Sequence, residues 1–397
     1  MILVAGARPN FMKIAPIVGA LRKNRGQRAE GGGRKTEDGC RRTEGRKDRS
    51  RMSDVGKQIS QIEYKIVHTG QHYDYEMSQA FFDDLEIPEP DYFLEAGSGS
   101  HAEQTAKIML SFEKVCKEES PDLVLVVGDV NSTLACSIVA KKMGIEVAHV
   151  EAGLRSFDLS MPEEINRMVT DAISDYFFVT EKSGVDNLKK EGKSEDRIFF
   201  VGHVMIDNLL YQLDKVNSNQ YPFKHKALKD SLGKYIFMTL HRPSNVDRKA
   251  TLEGIVTVLN RIAREVAIIF PVHPRTSKML HHFGIELSKN IYQLPPLGFQ
   301  ESLYLWKDAK LVITDSGGMQ EETTALKIPC LTLRENTERP VTVWEGTNKL
   351  VKVEALEQEV ADILGGRGKT GKIPDLWDGK AAERIVEVLK KILSVPQ

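Results

Sequence analysis

The sequence predicts an α/β protein made of two doubly wound, Rossmann-like halves. Short, β-branched apolar runs alternate with helical patterns along almost the whole chain. Those runs are continuously apolar, as expected of parallel strands covered on both faces, and lack the in–out alternation of half-buried strands. The series also occurs twice, with a break near 202–217 ahead of a polar stretch at 217–225, so two βαβ domains are expected.

In chain order, the first series places strands at 1–5, 64–69, 123–128, 147–150, 176–180 and 198–201. The second places them at 235–240, 267–272, 291–294, 311–314, 330–333 and 349–353. Helices such as 132–142 and 252–264 lie between them. A last helix, 381–393, sets Ile385, Val388, Leu389 and Ile392 on one face and has no strand after it. It is expected to pack back across a domain surface. The resulting division is 1–203, 204–380 and a crossover helix at 381–397. One segment does not fit: 25–57 has almost no large apolar residues and carries eleven Lys/Arg against six Asp/Glu. It cannot bury enough surface to offset its ordering entropy and reads as a disordered insertion.

Bulk properties exclude several classes of function. With 397 residues the chain exceeds one ordinary core. A net charge of −1 gives no field for nucleic acid or an anionic membrane. Cys40, Cys116, Cys136 and Cys330 form no C-x-x-C pair, which disfavours a disulfide framework or zinc ribbon and fits a reducing, cytoplasmic compartment. No basic leader precedes Ile2-Leu3-Val4, and no apolar run approaches the roughly 20 residues that span a bilayer. Neither a metal nor a cofactor is called for: no H-x-H spacing, P-loop or G-x-S-x-G is present. Gly97-Ser-Gly99-Ser-His-Ala102 loosely matches a dinucleotide fingerprint but follows only a three-residue apolar run, so NAD binding there is rejected.

Ligands of doubly wound sheets bind beyond the carboxyl ends of the strands, which makes the polar residues there the candidates. The first strand ends in Gly6-Ala7-Arg8-Pro9-Asn10 and opens a helix carrying Lys13, a plausible anion site. The strand at 311–314 ends in Asp315-Ser316-Gly317-Gly318 and opens a helix through Glu321 and Glu322. Two glycines there would let a diphosphate approach backbone N–H groups at the positive end of a helix dipole. Further strand ends carry Asp129, Glu151, His241-Arg242 and His273-Pro274-Arg275, while Glu163-Glu164 opens a helix bearing Asn166 and Arg167. Singly, each is more often a cap or a packing residue. Together, along one ligand-facing edge, they point to a site.

The strings G-A-R-P-N-F-M-K-I-A-P, H-T-G-Q-H-Y, G-D-V-N-S-T-L-A, H-V-E-A-G-L-R-S, M-P-E-E-I-N-R, T-L-H-R, P-V-H-P-R, D-S-G-G-M-Q-E-E and T-E-R-P run in order over the chain outside 25–57. In series they resemble the UDP-N-acetylglucosamine 2-epimerase family, of glycosyltransferase-B architecture. The resemblance implies that Arg8, Lys13 and the Ser316-Gly317-Gly318 turn contact a diphosphate and Glu322 the ribose, within a UDP-binding C-terminal domain. It implies catalytic carboxylates at Asp129, Glu151 and Glu163, with Glu164 the neighbouring alternative to Glu163. His241 would lie near the leaving phosphate, and Arg167 would support the sugar site. Gln71, His72 and His273 match positions where bacterial members bind a second, activating UDP-sugar, His273 also lying at the substrate side. A homodimer is expected. Tyr73 replaces a common Arg, Asn10 an acidic residue, and His203 a frequent Asn. Asn10 and Tyr73 also occur in related diacetamido-glucuronate epimerases, which keeps that sugar open.

Epimerising C2 of a sugar is difficult because no carbonyl acidifies its C–H bond. Transient oxidation at C3 needs a nicotinamide site that the sequence does not offer. Expelling UDP from C1 while removing the C2 proton, then reversing both on the other face, needs carboxylates about C2 and a cationic cradle. The strand ends supply both, and closure of the cleft between the halves would retain UDP. A transferase of the same architecture would need an acceptor groove, and a nucleotide-sugar sensor only the phosphate cradle. A hydrolysing epimerase would release free N-acetylmannosamine.

Overall fold

The computed structural model describes residues 1–6, 8–26, 62–70, 86–218 and 222–394. Apart from a helix end at 25–26, the insertion expected at 25–57 lies outside them.

Thirteen strands form two sheets among the described residues. The first contains β1 (Ile2–Ala5), β2 (Lys65–His68), β3 (Tyr92–Phe93), β4 (Leu123–Val127), β5 (Glu146–Val150), β6 (Tyr176–Val179) and β7 (Ile198–Phe200). Their order is β3-β2-β1-β4-β5-β6-β7. The second contains β8 (Tyr235–Met238), β9 (Ala267–Pro271), β10 (Ile291–Leu294), β11 (Leu311–Thr314), β12 (Cys330–Thr332) and β13 (Asn348–Leu350). Their order is β10-β9-β8-β11-β12-β13. Each sheet therefore winds outward from its first strand in both directions, giving a switch point at β1/β4 and another at β8/β11.

All twelve strands expected from the sequence are present, two with the expected bounds and the others with ends moved by one to three residues. The thirteenth, β3, is a correction, because the short run at 92–94 was denied strand status. Its two residues pair with Val67 and His68 of β2 at the sheet edge. The glycine loop at 97–99 thus does join a strand to a helix, His101–Glu119. That helix start is already occupied: Ser100 Oγ accepts the Glu103 N–H, and the Glu103 carboxylate accepts the Ser100 N–H. A carboxylate in this capping box repels the phosphate that a dinucleotide would bring.

The continuous apolarity of the strands follows from their burial. Along β8, Ile236 and Met238 enter one core cluster, while Tyr235 and Phe237 enter another. β9 repeats this, with Ile268 and Phe270 opposed to Ala267 and Ile269. In the first sheet, Ile2, Val4, Val124 and Val126 pack on Phe112, Val115 and Cys116 of helix His101–Glu119 and on Ala135, Cys136 and Ala140 of helix Asn131–Lys142. Each large side chain so buried contributes about 1.5–3 kcal/mol.

The chain divides into two compact units, Met1–Val150 with Ala172–Phe178 and Ala382–Gln397, and Glu151–Asp171 with Val179–Ala381. It passes between them after 150, 171, 178 and 381. The last helix, Ala381–Ser394, buries Ile385, Val386 and Leu389. Val386 therefore takes the core place expected of Val388, which is only half-buried. Among the described residues no helix is long and apolar enough to cross a membrane.

Candidate active site

In the first unit, β1 and helix Asn131–Lys142 converge at the switch point. A Cβ on Gly6 would stand 1.7 Å from Ser132 Oγ, so only glycine permits this approach. Arg8 begins helix Arg8–Gly26, and Lys13 lies buried within it. Asn10 donates its side-chain N–H to the Val127 carbonyl at 2.8 Å, tying this helix to the end of β4. Asp129 follows β4 in a half-buried bend. Gln71 and His72 lie outside the described residues.

The second unit carries most of the remaining candidates. Glu151 follows β5 with φ +71°, a conformation that a non-glycine residue adopts at a cost. The loop after it is braced from several sides. Asp171 accepts the Gly153 N–H at 2.9 Å and pairs with Arg155 at 2.7 Å, while Asn187 donates to the Gly153 carbonyl at 2.9 Å. The structure distinguishes the two neighbouring glutamates. Glu164 is fully buried, accepts the Ser156 and Phe157 N–H groups and pairs with Arg167 at 2.6 Å. Glu163 is exposed. Arg167 is thus committed to Glu164, inside the fold.

At the β8/β11 switch point, Thr239 and Thr314 share a hydroxyl hydrogen bond of 2.7 Å. Just beyond it, His241 Nδ1 meets Asp315 at 2.8 Å. The His241, Arg242 and Asn245 N–H groups also donate to Asp315. Burial pushes the Asp315 carboxyl up, but the His241 hydrogen bond and charge with the backbone donors outweigh it, leaving it below the usual range. An ionised Asp315 holds His241 in its Nδ1–H tautomer, which leaves Nε2 as an acceptor when the ring is neutral. His273 caps helix Pro274–Phe283 through Nδ1, with its ring 5.5 Å from that of His241. Burial and the His241 neighbour lower its proton affinity.

Asp315 therefore serves the 241–245 loop, and Ser316, the N-cap of helix Gly317–Ala325, makes no side-chain cap bond. The backbone donors at this helix start form the positive end of a dipole that Ser316 does not cap, with the Glu338 carboxylate to one side. A Cβ on Gly317 would come within 2.7 Å of Glu338 Oε1, whereas at Gly318 the space is open. Burial opposes ionisation of Glu338, yet Arg339 and an Arg334 hydrogen bond hold its carboxyl at about 2. Arg242 lies 4.0 Å from Glu338 and also feels the charge of Glu163. Glu322 is buried, and burial plus the adjacent Glu321 push its carboxyl up to about 8.

The second unit thus links Arg242, Glu338 and the Gly317 helix start, and sets Arg339, next to Glu338, 4.0 Å from Glu151. The linking residues Arg334, Glu338 and Arg339 were not among the strand-end candidates, although T-E-R-P contains the last two, and Glu321 was named in the helix opening without a role. Among the described residues no three His, Cys, Asp or Glu side chains group as metal ligands.

Comparison with known proteins agrees with this geometry. The family model described as UDP-N-acetylglucosamine 2-epimerase matches residues 56–390. A protein of Methanocaldococcus jannaschii named UDP-N-acetylglucosamine 2-epimerase is 41% identical over 397 residues, covering 98% of each chain. A Pseudomonas aeruginosa protein named UDP-2,3-diacetamido-2,3-dideoxy-D-glucuronate 2-epimerase is 40% identical over 334 residues, covering 82% of this chain and 91% of its own. The crystal structure of the M. jannaschii enzyme in complex with UDP-GlcNAc and UDP superposes with a TM-score of 0.79 at 40% identity, covering 98% of this chain and 99% of that one. The two parallel Rossmann-like sheets are those of the glycosyltransferase-B class. The chain belongs to the UDP-N-acetylglucosamine 2-epimerase family.

Proposed function

We propose that this epimerase interconverts UDP-N-acetylglucosamine and UDP-N-acetylmannosamine without hydrolysis, by eliminating UDP and adding it back. One observation carries the reading: the helix start at Gly317, which Ser316 does not cap, lies beside Glu338, which approaches Arg242, and the next residue, Arg339, approaches Glu151. That combination suits a diphosphate that must leave and return while a carbon-bound proton is exchanged.

In the forward step a carboxylate takes the C2 proton, the C1–O bond breaks, and C1=C2 forms as UDP departs with the bonding pair. In the return step a proton reaches C2 from the opposite face and UDP closes on C1. The roles assigned to Asp129, Glu151 and Glu163 are those of the proton-moving and charge-stabilising carboxylates. The exposed position of Glu163 supports choosing it over the engaged Glu164. His241 Nε2, Arg8, Lys13 and the helix start are assigned to the diphosphate, with His273 beside His241. Glu322, protonated near neutrality in the free protein, has both a donor and an acceptor for a ribose diol. Arg167 is assigned to the sugar site through Glu164 and the 156–157 loop. Gln71, His72 and His273 are assigned to an activating second UDP-sugar, and the enzyme to a homodimer supplying polysaccharide assembly.

In D₂O, UDP-N-acetylglucosamine should gain deuterium at C2 in both epimers while nearly all nucleotide stays sugar-linked. Some UDP and 2-acetamidoglucal should escape, and more from His241→Asn. Epimerisation without deuterium at C2 would sink elimination. Stoichiometric UDP with free N-acetylmannosamine would place the enzyme among hydrolysing epimerases. Asn10 and the P. aeruginosa relative favour one second reading, a diacetamido-glucuronate substrate. Parallel assays on the two UDP-sugars decide between them.

A further inference from the structure

A buried ionic cluster in the second unit gathers residues from the end of β5, the start of helix Val204–Asn217, helix Gly317–Ala325 and the loop before Pro340. His203 caps helix Val204–Asn217, its Nδ1 accepting the Met205 N–H at 3.2 Å. A ring nitrogen that accepts a backbone N–H carries no proton, so the neutral imidazole holds its proton on Nε2. From there it is donated to Glu321 Oε1 at 2.7 Å. The same oxygen is 2.6 Å from Arg339 Nε, an ion-pair contact outside hydrogen-bond geometry.

Glu151 lies beyond this shared oxygen. Its Oε1 is 3.9 Å from His203 Nε2, and its Oε2 is 4.0 Å from an Arg339 terminal nitrogen. Trp377 closes another side of the imidazole, edge-on at 5.2 Å, with its indole N–H anchored on the Thr180 carbonyl. Each of these side chains is less than a tenth exposed. Glu181 also faces the cluster, burial pushing it up to about 7, and Glu338 beside Arg339 and Glu322 beside Glu321 adjoin it. No residue here is placed by a single contact: Glu321 touches both donors, and each donor in turn faces one oxygen of Glu151.

We infer that His203 is a positioning residue for Glu151, acting through Glu321 to fix the Arg339 guanidinium opposite that carboxylate. Glu321 held only by the ion-pair contact with Arg339 would keep rotational freedom about its own side chain. The second donor removes it, and with it the play in Arg339. Loss of about an ångström of placement at a proton-transferring group is costly to turnover. The inference rests on the reading of Glu151 as a carboxylate that moves the C2 proton.

The two ring nitrogens have separable tasks, and two substitutions separate them. In His203→Asn the side-chain oxygen replaces Nδ1 and caps the helix, but the amide stops short of Glu321. In His203→Gln the amide reaches toward the Nε2 position and donates to Glu321 without the cap. The measurement is the rate of deuterium entry at C2 of UDP-N-acetylglucosamine in D₂O, alongside KM and melting temperature. His203→Asn should exchange about tenfold more slowly at nearly unchanged KM and melting temperature. His203→Gln should lose about 2–4 °C for the missing cap, yet recover most of the exchange rate. His203→Asn exchanging at the wild-type rate overturns the inference, as does exchange falling in step with melting temperature in both variants. Wild-type enzyme is measured first: if it binds the sugar but exchanges no proton, the role given to Glu151 fails, and this inference with it.

Discussion

Asp315 and Glu151 are both buried carboxylates at the ends of parallel strands, and they are held in opposite ways. Asp315 receives the His241 and Arg242 backbone N–H groups at 2.9 and 2.8 Å and the His241 ring at 2.8 Å. Glu151 sits at φ +71°, with His203 and Arg339 standing back at 3.9 and 4.0 Å. Donors at hydrogen-bond distance commit a carboxylate to its ionised form and to one place. Around Glu151 the printed ion-pair contacts, to His203 and Arg339, are about an ångström longer. The difference teaches that two carboxylates equally buried at strand ends can be held by very different surroundings.

The strongest way to break the comparison is to make each carboxylate an amide. Glu151→Gln should lower kcat by roughly 10²-fold or more while UDP binding and melting temperature persist. Asp129→Asn and Glu163→Gln should do the same. Asp315→Asn should instead lower melting temperature and UDP affinity together, because it opposes a donor to the N–H groups it now accepts. Calorimetry and initial rates on the two variants check this; matching profiles for Glu151→Gln and Asp315→Asn would erase the distinction.

A smaller effect is expected at the helix start. A methyl group on Gly317 would stand 2.7 Å from Glu338 Oε1 and must displace a carboxylate that Arg334 and Arg339 hold at about 2. Gly317→Ala should weaken UDP binding by about tenfold, or about 1.4 kcal/mol, measured by titration calorimetry. Gly318→Ala, with open space around it, should weaken it less.

The smallest effect is a slope. Burial and Glu321 raise the Glu322 carboxyl from 4.5 to about 8, so the folded protein keeps a proton that the unfolded chain releases. More protons bound in the folded state mean that stability falls as pH rises across that window. Melting temperatures of Glu322→Gln should decline less than wild type between about pH 5 and 8. Parallel curves would show that Glu322 titrates alike in both states.

Much of this was legible in the residues. Continuously apolar runs located twelve strands, because burial on both faces leaves no polar position to interrupt them. β3 escaped because two residues at a sheet edge carry almost no pattern. Strand ends exposed Glu151, His241 and the Ser316-Gly317-Gly318 turn, since ligand-facing loops must begin there. Glu321 and Arg339 were not selected, because their importance lies in a contact of 2.6 Å across 18 positions of chain and not in any local period. The choice between Glu163 and Glu164 likewise needed coordinates, for only their hydrogen bonds differ.

The last helix has a consequence for the order of assembly. Its buried face of Ile385, Val386 and Leu389 belongs to the unit that begins at Met1, more than 200 residues earlier. On the ribosome, the unit started first is therefore completed last. The partners of that face must wait for it while most of the second unit is made. Contacts so distant in sequence close slowly, and an open apolar strip is the surface that chaperones hold.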